Sequence, residues 1–245
     1  MSILSDGTSN AKTIKSNKRN LTDVEKFLKD YAGFFKTQTG IVYLAPASIS
    51  GKNVCGHSSP ACREACLYSA GRGRMSNVQK GRLRKTMLFL KARKEYFLQL
   101  NKDIEKLKRK SVKNNALTCI RLNGTSDLPY QNIKQGENNQ SIIQDHKDVQ
   151  FYDYTKDWNR KPKTSNYHLT YSKSELHTES EVQEMVSKGN NVAVVFRDKL
   201  PKTYAGHTVF NGDDTDLRFL DPKGVVVGLK AKGEAKKDVS GFVVD

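Results

Sequence analysis

Apolar residues in this chain gather into short runs set apart by polar or helix-capable stretches. Ile41 to Leu44, Ala116 to Leu122, Val149 to Tyr154, Tyr167 to Tyr171, Asn191 to Phe196 and Val225 to Leu229 read as six strands. Between them lie segments with helical spacing. Leu83, Met87, Leu90, Phe97, Ile104 and Leu107 recur in steps of three, four or seven, which predicts one long helix over 76–110. A second helix is expected over 174–187, with Val182, Met185 and Val186 apolar and Gly189 as its stop. A third is expected from Thr22, where Thr22 and Glu25 form a capping-box pattern before Val24, Phe27, Leu28 and Tyr31, and it ends near Gly33.

Strands alternating with crossovers mean a mainly parallel sheet. The expected fold is therefore a single α/β domain over 21–245, arranged as a partial or full β/α barrel. Residues 1–20 are polar and lysine-bearing and read as a flexible basic arm. Residues 132–148, rich in Gln and Asn, read as a surface excursion, and no linker divides the chain.

Charge adds a partner class. Of 245 residues 42 are Lys or Arg and 26 are Asp or Glu, a formal net charge of +16, so a polyanion such as a nucleic acid or nucleotide is the expected partner. The basic residues concentrate at Arg72, Arg74, Lys80, Arg82, Arg84 and Lys85, continuing through Lys91, Arg93 and Lys94. They read either as a phosphate-contacting patch or as a solvated helix face. No apolar run approaches a membrane span and no signal peptide is apparent, so a soluble, cytoplasmic protein is expected.

The chemistry-bearing stretch is VCGHSSPACREACLYSAGRGR, residues 54–74. It holds Cys55, Cys62 and Cys66 in a C-x6-C-x3-C spacing that suits three thiolates on one inorganic centre better than a disulfide framework. Thiolates select iron-sulfur clusters, zinc or copper(I). Three of them leave one position free for chemistry, whereas a fourth ligand, His57 or Cys119, would close a structural zinc site. Ordinary reduced cysteines in a loop are the remaining reading.

A second constellation follows the strands. Asn123, Gly124, Thr125, Ser126 and Asp127 follow one strand; Asp153, Thr155 and Lys156 belong to the next; Ser172, Lys173, Ser174 and Glu175 follow another; and Lys230 ends the last. In parallel α/β folds the carboxyl ends of strands converge, so these groups are expected to line one pocket mouth with the cysteine loop. Taken singly, each also reads as a helix cap or turn residue. Alternation places Cys119, Arg121 and Asn123 on one strand face, and Arg121 then needs an anionic partner, either Asp153 or a ligand carboxylate. His168 is structural or points into the pocket.

With these residues in view, a strand followed by three closely spaced cysteines, a basic helix and β/α units resembles the radical S-adenosylmethionine enzymes. The segments IRLNGTSDLPY, VQFYDYTKDWNR, NYHLTYSKSE and DLRFLDPKGVVVGLKAKG, with the cysteine stretch, resemble an uncharacterised phage "gene product" family from about Leu44 onward. The resemblance implies a 4Fe-4S cluster on Cys55, Cys62 and Cys66, S-adenosylmethionine as cofactor, and a site in the cytoplasm of a phage-infected bacterial host, with a phage protein as a further partner. Tyr68, Asn123, Thr125, Ser126 and Asp127 would then meet the cofactor, joined by the rim residues Asp153, Ser172 and Glu175. Arg121, Thr155, Lys156, His168 and Lys230 are left for the substrate. The spacing differs from the common C-x3-C-x2-C, and no GGE segment follows the next strand. Two other classes stay open: a zinc-stabilised, non-catalytic nucleic-acid-binding protein, and a divalent-metal nuclease using Asp127, Asp153, Asp213, Asp214 or Asp216.

Overall fold

Five of the six apolar runs coincide with strands in the computed structural model, which describes residues 1–8 and 36–245, while the first, Ile41 to Leu44, overlaps only the end of a strand that starts at Thr37. The helix expected from Thr22 and most of the expected arm lie outside the described residues. In chain order the elements are β1 (Leu4–Asp6), β2 (Thr37–Val42), α1 (Pro60–Glu64), α2 (Ser76–Lys91), α3 (Arg93–Lys113), β3 (Leu117–Arg121) and the small hairpin β4 (Lys134–Gln135) and β5 (Gln140–Ser141). Then come α4 (Ile142–Asp145), β6 (Gln150–Thr155), β7 (Tyr167–Ser172), α5 (Glu179–Ser187), β8 (Val192–Phe196), β9 (Thr203–Tyr204), β10 (His207–Asn211), β11 (Val226–Lys230) and β12 (Val243–Val244).

Ten of these strands form one sheet in the order β1-β2-β3-β6-β7-β8-β11-β10-β9, with β12 added beside β8. Pairing is parallel from β2 through β10, and only the end strands β1 and β9 run antiparallel to their neighbours. The expected mixed α/β fold with a mainly parallel sheet is therefore present. Full barrel closure is not: the sheet ends at β1 and β9. From β2 to β11 the parallel strands follow chain order without reversal, so their carboxyl ends all open to one side.

Tyrosines and phenylalanines from α2 and α3 cover one face. Phe89, Tyr96, Phe97, Leu100 and Ile104 pack on Ile120, Leu122, Phe151 and Tyr167. The Phe89 and Tyr96 rings meet edge to face at 5.2 Å, and the buried Tyr96 hydroxyl bonds that of Tyr130 at 2.8 Å. This is the single helix expected over 76–110, but it breaks at Ala92, whose φ of −140° is not helical. In α2 the buried residues are Arg82, Thr86 and Phe89, one position before the expected stripe, and Leu83 is exposed. Thr86 explains the shift, because its hydroxyl accepts the Ala45 N–H (2.8 Å) where the chain leaves β2.

The opposite face is covered by the chain from Gly212 to Asp221. Leu217 packs on Leu117, Cys119 and Tyr152. Arg218 is fully buried, paired with Asp221 at 3.2 Å. In the middle of the sheet β7 pairs with β8 only at Tyr171 and Ser172, and β12 pairs with β8 further along, at Val195 and Phe196.

Two expected irregular regions are ordered. The start of the arm is β1, pinned by Asp103, whose carboxylate accepts the Ile3 and Leu4 N–H groups at 2.5 and 3.1 Å. The excursion over 132–148 buries Ile142 and Ile143 under a complete capping box at Ser141 and Gln144. The helix expected over 174–187 begins at Glu179, where Thr178 and Glu181 make the capping box.

Candidate functional site

The cysteine loop is built by local hydrogen bonding. Ala47 turns the chain after β2 with a φ of 46°, and its N–H points to the Cys55 sulfur at 3.3 Å. Ser59 caps α1, accepting the Cys62 N–H at 3.2 Å, and Pro60 starts the helix where no N–H is needed. Glu175 reaches across from the end of β7 to accept the Ser59 hydroxyl (2.6 Å) and the Ala61 N–H (3.0 Å). Burial works to raise the Glu175 pKa, but these hydrogen bonds outweigh it and the carboxyl titrates below its usual range. Glu175 therefore clamps the helix that carries Cys62 and leads to Cys66, and it does not line the cavity beside them.

That cavity holds about 260 Å³ and lies at the carboxyl ends of β3, β6, β7, β8 and β11. Cys55, Cys62 and Cys66 all line it, as do Arg121, Asn123, Thr125, Ser126, Asp127, Thr155, Lys156, Ser172 and Lys230. The loop after β3 turns back over β2 at Gly124, where a Cβ would lie 2.7 Å from both the Tyr43 ring and the Val42 carbonyl oxygen. Burial raises the pKa of all three thiols, Cys55 to about 11, so they are neutral thiols as they stand. Each also feels the charge of another member of the set or of nearby Lys156. Among the described residues no group of three or more His, Cys, Asp or Glu side chains is gathered closely enough to hold a metal ion.

Several rim residues serve the wall itself. The Thr125 hydroxyl donates to the Leu44 carbonyl at 2.5 Å, and the Ser126 hydroxyl donates to Asn123 at 2.9 Å. Asp127 accepts from Arg160 at 2.8 Å and from the Lys156 N–H at 2.9 Å. Asp153 lies beneath the rim, fully buried, accepting the Asn123 N–H (2.6 Å), the Asn123 amide (3.1 Å) and the Tyr167 hydroxyl (3.0 Å). Burial lifts its pKa to about 7 in spite of these donors.

Arg121 takes the expected strand face with Cys119, and its partner is Asp216 at 3.3 Å rather than Asp153. Tyr154 lies under its guanidinium at 4.7 Å. Asp153 is consumed by Asn123 and Tyr167, which explains the different pairing.

Other expectations are corrected by position. His168 lies outside the cavity lining, where burial and the nearby Arg218 and Lys223 lower its pKa to about 4 and keep it neutral. Cys119 is fully buried in the apolar cluster with Leu117, Tyr152 and Leu217, away from the other three cysteines. His57 is half exposed and faces Asp157 at 3.6 Å. Neither lines the cavity, so neither stands as a fourth ligand.

Tyr68 also stands off the cavity and instead stacks under Arg82 at 5.3 Å, with Tyr43 on the guanidinium at 5.0 Å. Arg82 is therefore buried, not part of an outer patch. Lys85 turns inward to donate to the Ile3 carbonyl at 2.8 Å. Arg72, Arg74, Lys80 and Arg84 are exposed, and these four are the outer basic surface beside the cysteine loop. Of the acidic run, Asp213 binds Lys232 at 2.7 Å and accepts the Lys230 N–H at 2.8 Å.

The sequence reading missed Lys232, Ala235 and Phe242, which close the cavity from the carboxyl-terminal side. Small apolar residues marked this wall: Ala61 and Ala65 pack on Ala231, Ala235 and Phe242.

No helix among the described residues is long and apolar enough to cross a membrane. Comparison with curated proteins and with solved structures returned no match. A family model described as "Gene product 88" matches residues 3–245, in keeping with the expected gene-product resemblance, and the chain belongs to that family.

Proposed function

We propose that this protein is a radical S-adenosylmethionine-like iron-sulfur enzyme acting on a nucleic acid or nucleotide, built on a partial β/α barrel. The observation that carries this reading is that one loop delivers three thiols to the lining of a cavity at the carboxyl ends of parallel strands. The donor set fits the group: three sulfurs from one short segment, with Lys156 and Arg82 placed to offset negative charge near Cys62 and Cys66. Cys55, Cys62 and Cys66 would hold a 4Fe-4S cluster after losing their protons and closing together. When bound, such a cluster supplies one-electron reduction of the cofactor's carbon–sulfur bond.

The chain's own residues do the rest. Glu175 and Ser59 fix the helix that presents Cys62. Asn123 is held rigid by Asp153, so the turn from Asn123 to Asp127 keeps its shape on the cavity wall. The exposed Arg72, Arg74, Lys80 and Arg84 lie close in sequence to the cysteine loop and suit a phosphate backbone arriving from that side.

The test is anaerobic purification with a visible spectrum and iron, sulfide and zinc analysis, on the native chain and on a Cys55, Cys62, Cys66 triple Ala variant. Broad brown absorbance with about four irons per chain, lost in the variant, is the expected result. About one zinc and no colour would overturn it and favour the zinc-stabilised nucleic-acid binder.

A further inference from the structure

Lys156 and Lys173 are two neighbouring lysines that the fold encloses with no carboxylate in contact with either ammonium. Lys173 is buried, and its ammonium donates only to the backbone carbonyls of Ser174 (3.3 Å) and Gly241 (3.1 Å). Lys156 is partly buried and lines the cavity; its ammonium donates to the Ser172 hydroxyl (3.2 Å) and the Lys173 carbonyl (3.0 Å). The Phe242 ring covers it at 4.8 Å. Among the described residues no carboxylate lies within 4 Å of either ammonium.

The other charges on the cavity wall are matched, except that of Lys230, which is exposed to solvent. Arg121 faces Asp216, Asp127 faces Arg160, and Lys232 faces Asp213. Lys156 is thus the enclosed cation on this wall whose direct contacts are dipoles and an aromatic face, beside Cys62, with Asp127 and Glu175 acting on it only through space. Enclosing an ammonium with no carboxylate in contact is costly, and a lysine on a cavity wall with two of its three N–H groups engaged keeps one donor for an anion.

We propose that Lys156 is the docking point for an anionic group, a carboxylate or a phosphate, on the ligand that enters this cavity. The ligand is therefore a small anion whose charged end lies beside Cys62, inside the wall formed by Ser172 and Phe242. This inference rests on the cavity being the ligand site, and it holds whether the cysteines take iron or zinc.

Two pairs of probes distinguish the two sources of negative charge. Adenosine 5′-monophosphate against adenosine reports a phosphate, and S-adenosylhomocysteine against 5′-methylthioadenosine reports an amino-acid carboxylate. Dissociation constants are measured by calorimetry on the full chain, with metal content determined on the same sample, for the native protein, Lys156→Met and Lys156→Arg. The expected result is that one anionic probe binds roughly ten- to a hundredfold more tightly than its partner, that Lys156→Met removes this preference, and that Lys156→Arg retains part of it. Thermal denaturation without ligand should show Lys156→Met at least as stable as the native chain, because an enclosed charge with no carboxylate in contact has been removed. The proposal is overturned if neither pair is discriminated, or if Lys156→Met keeps the preference. A colourless, zinc-bearing sample that still discriminates would sink the radical reading alone.

Discussion

The two faces of the sheet are both buried and are buried by opposite means. Under α2 and α3 the contacts are aromatic and aliphatic, and the tyrosine hydroxyls are satisfied inside, Tyr96 with Tyr130 and Tyr167 with Asp153, without an ion pair. Across the sheet the chain from Gly212 to Asp221 inserts charge: Arg218 with Asp221, and Arg121 with Asp216 at the cavity floor. Apolar burial is cheap and shapeless, whereas a buried ion pair is held only where geometry fixes both partners. The charged face is thus the one that specifies position, and the cavity sits on it.

That contrast can be broken by paired truncations. Arg121→Leu is expected to lower stability by about 4 kcal/mol, because it leaves Asp216 buried without its guanidinium. Adding Asp216→Leu should recover most of that loss, and a neutral single variant would remove the pair from the support of the cavity floor. Phe97→Ala on the other face should cost a similar amount, about 4 kcal/mol, but no second apolar change should rescue it. Denaturant midpoints of these variants read the comparison directly.

Asp153 sharpens it through pH. Its folded-state pKa of about 7 lies above that of an unfolded carboxyl near 4, so the folded chain retains a proton that the unfolded chain releases. This stabilisation is complete below about pH 4 and is lost as pH rises through 7, by roughly 4 kcal/mol in all. Asp153→Asn should flatten that segment of the stability profile, and an unchanged slope would show that the carboxyl is ionised throughout. The smallest expected effect is Glu175→Gln, about 1 kcal/mol in global stability, because one charged acceptor becomes neutral at the start of α1. Faster labelling of Cys62 and Cys66 by a thiol reagent would show the helix loosening; unchanged rates would mean that Ser59 holds it alone.

Much of this architecture was legible because buried parallel strands are short apolar runs, and five of the six appear where the runs are; Ile41 to Leu44 marks only the end of β2, because Thr37 to Gly40 carry no apolar signal. The cysteine loop and the rim residues after β3, β6 and β7 also reach the cavity that strand polarity implied. What was not legible depended on phase and on distant pairing. Arg82 looked like its neighbours Arg84 and Lys80 in a basic run, and only the Thr86 bond to Ala45 fixes which side of α2 turns inward. Lys85 was misread for the same reason. Glu175 carried the residue type of a ligand contact, but its partners lie more than a hundred positions earlier, at Ser59 and Ala61. Strands as short as β1 and β12 leave no periodicity to read, and β1 depends on Asp103 far along the chain.

Phe242 ties the closure of the cavity to one of the shortest strands in the fold. The ring that lies over Lys156 belongs to the segment leading into β12, which docks on β8 through Val243 and Val244. The wall therefore depends on a pairing only two residues long, and fraying of β12 from β8 would open the cavity beside Lys156 while the parallel sheet beneath it stays intact.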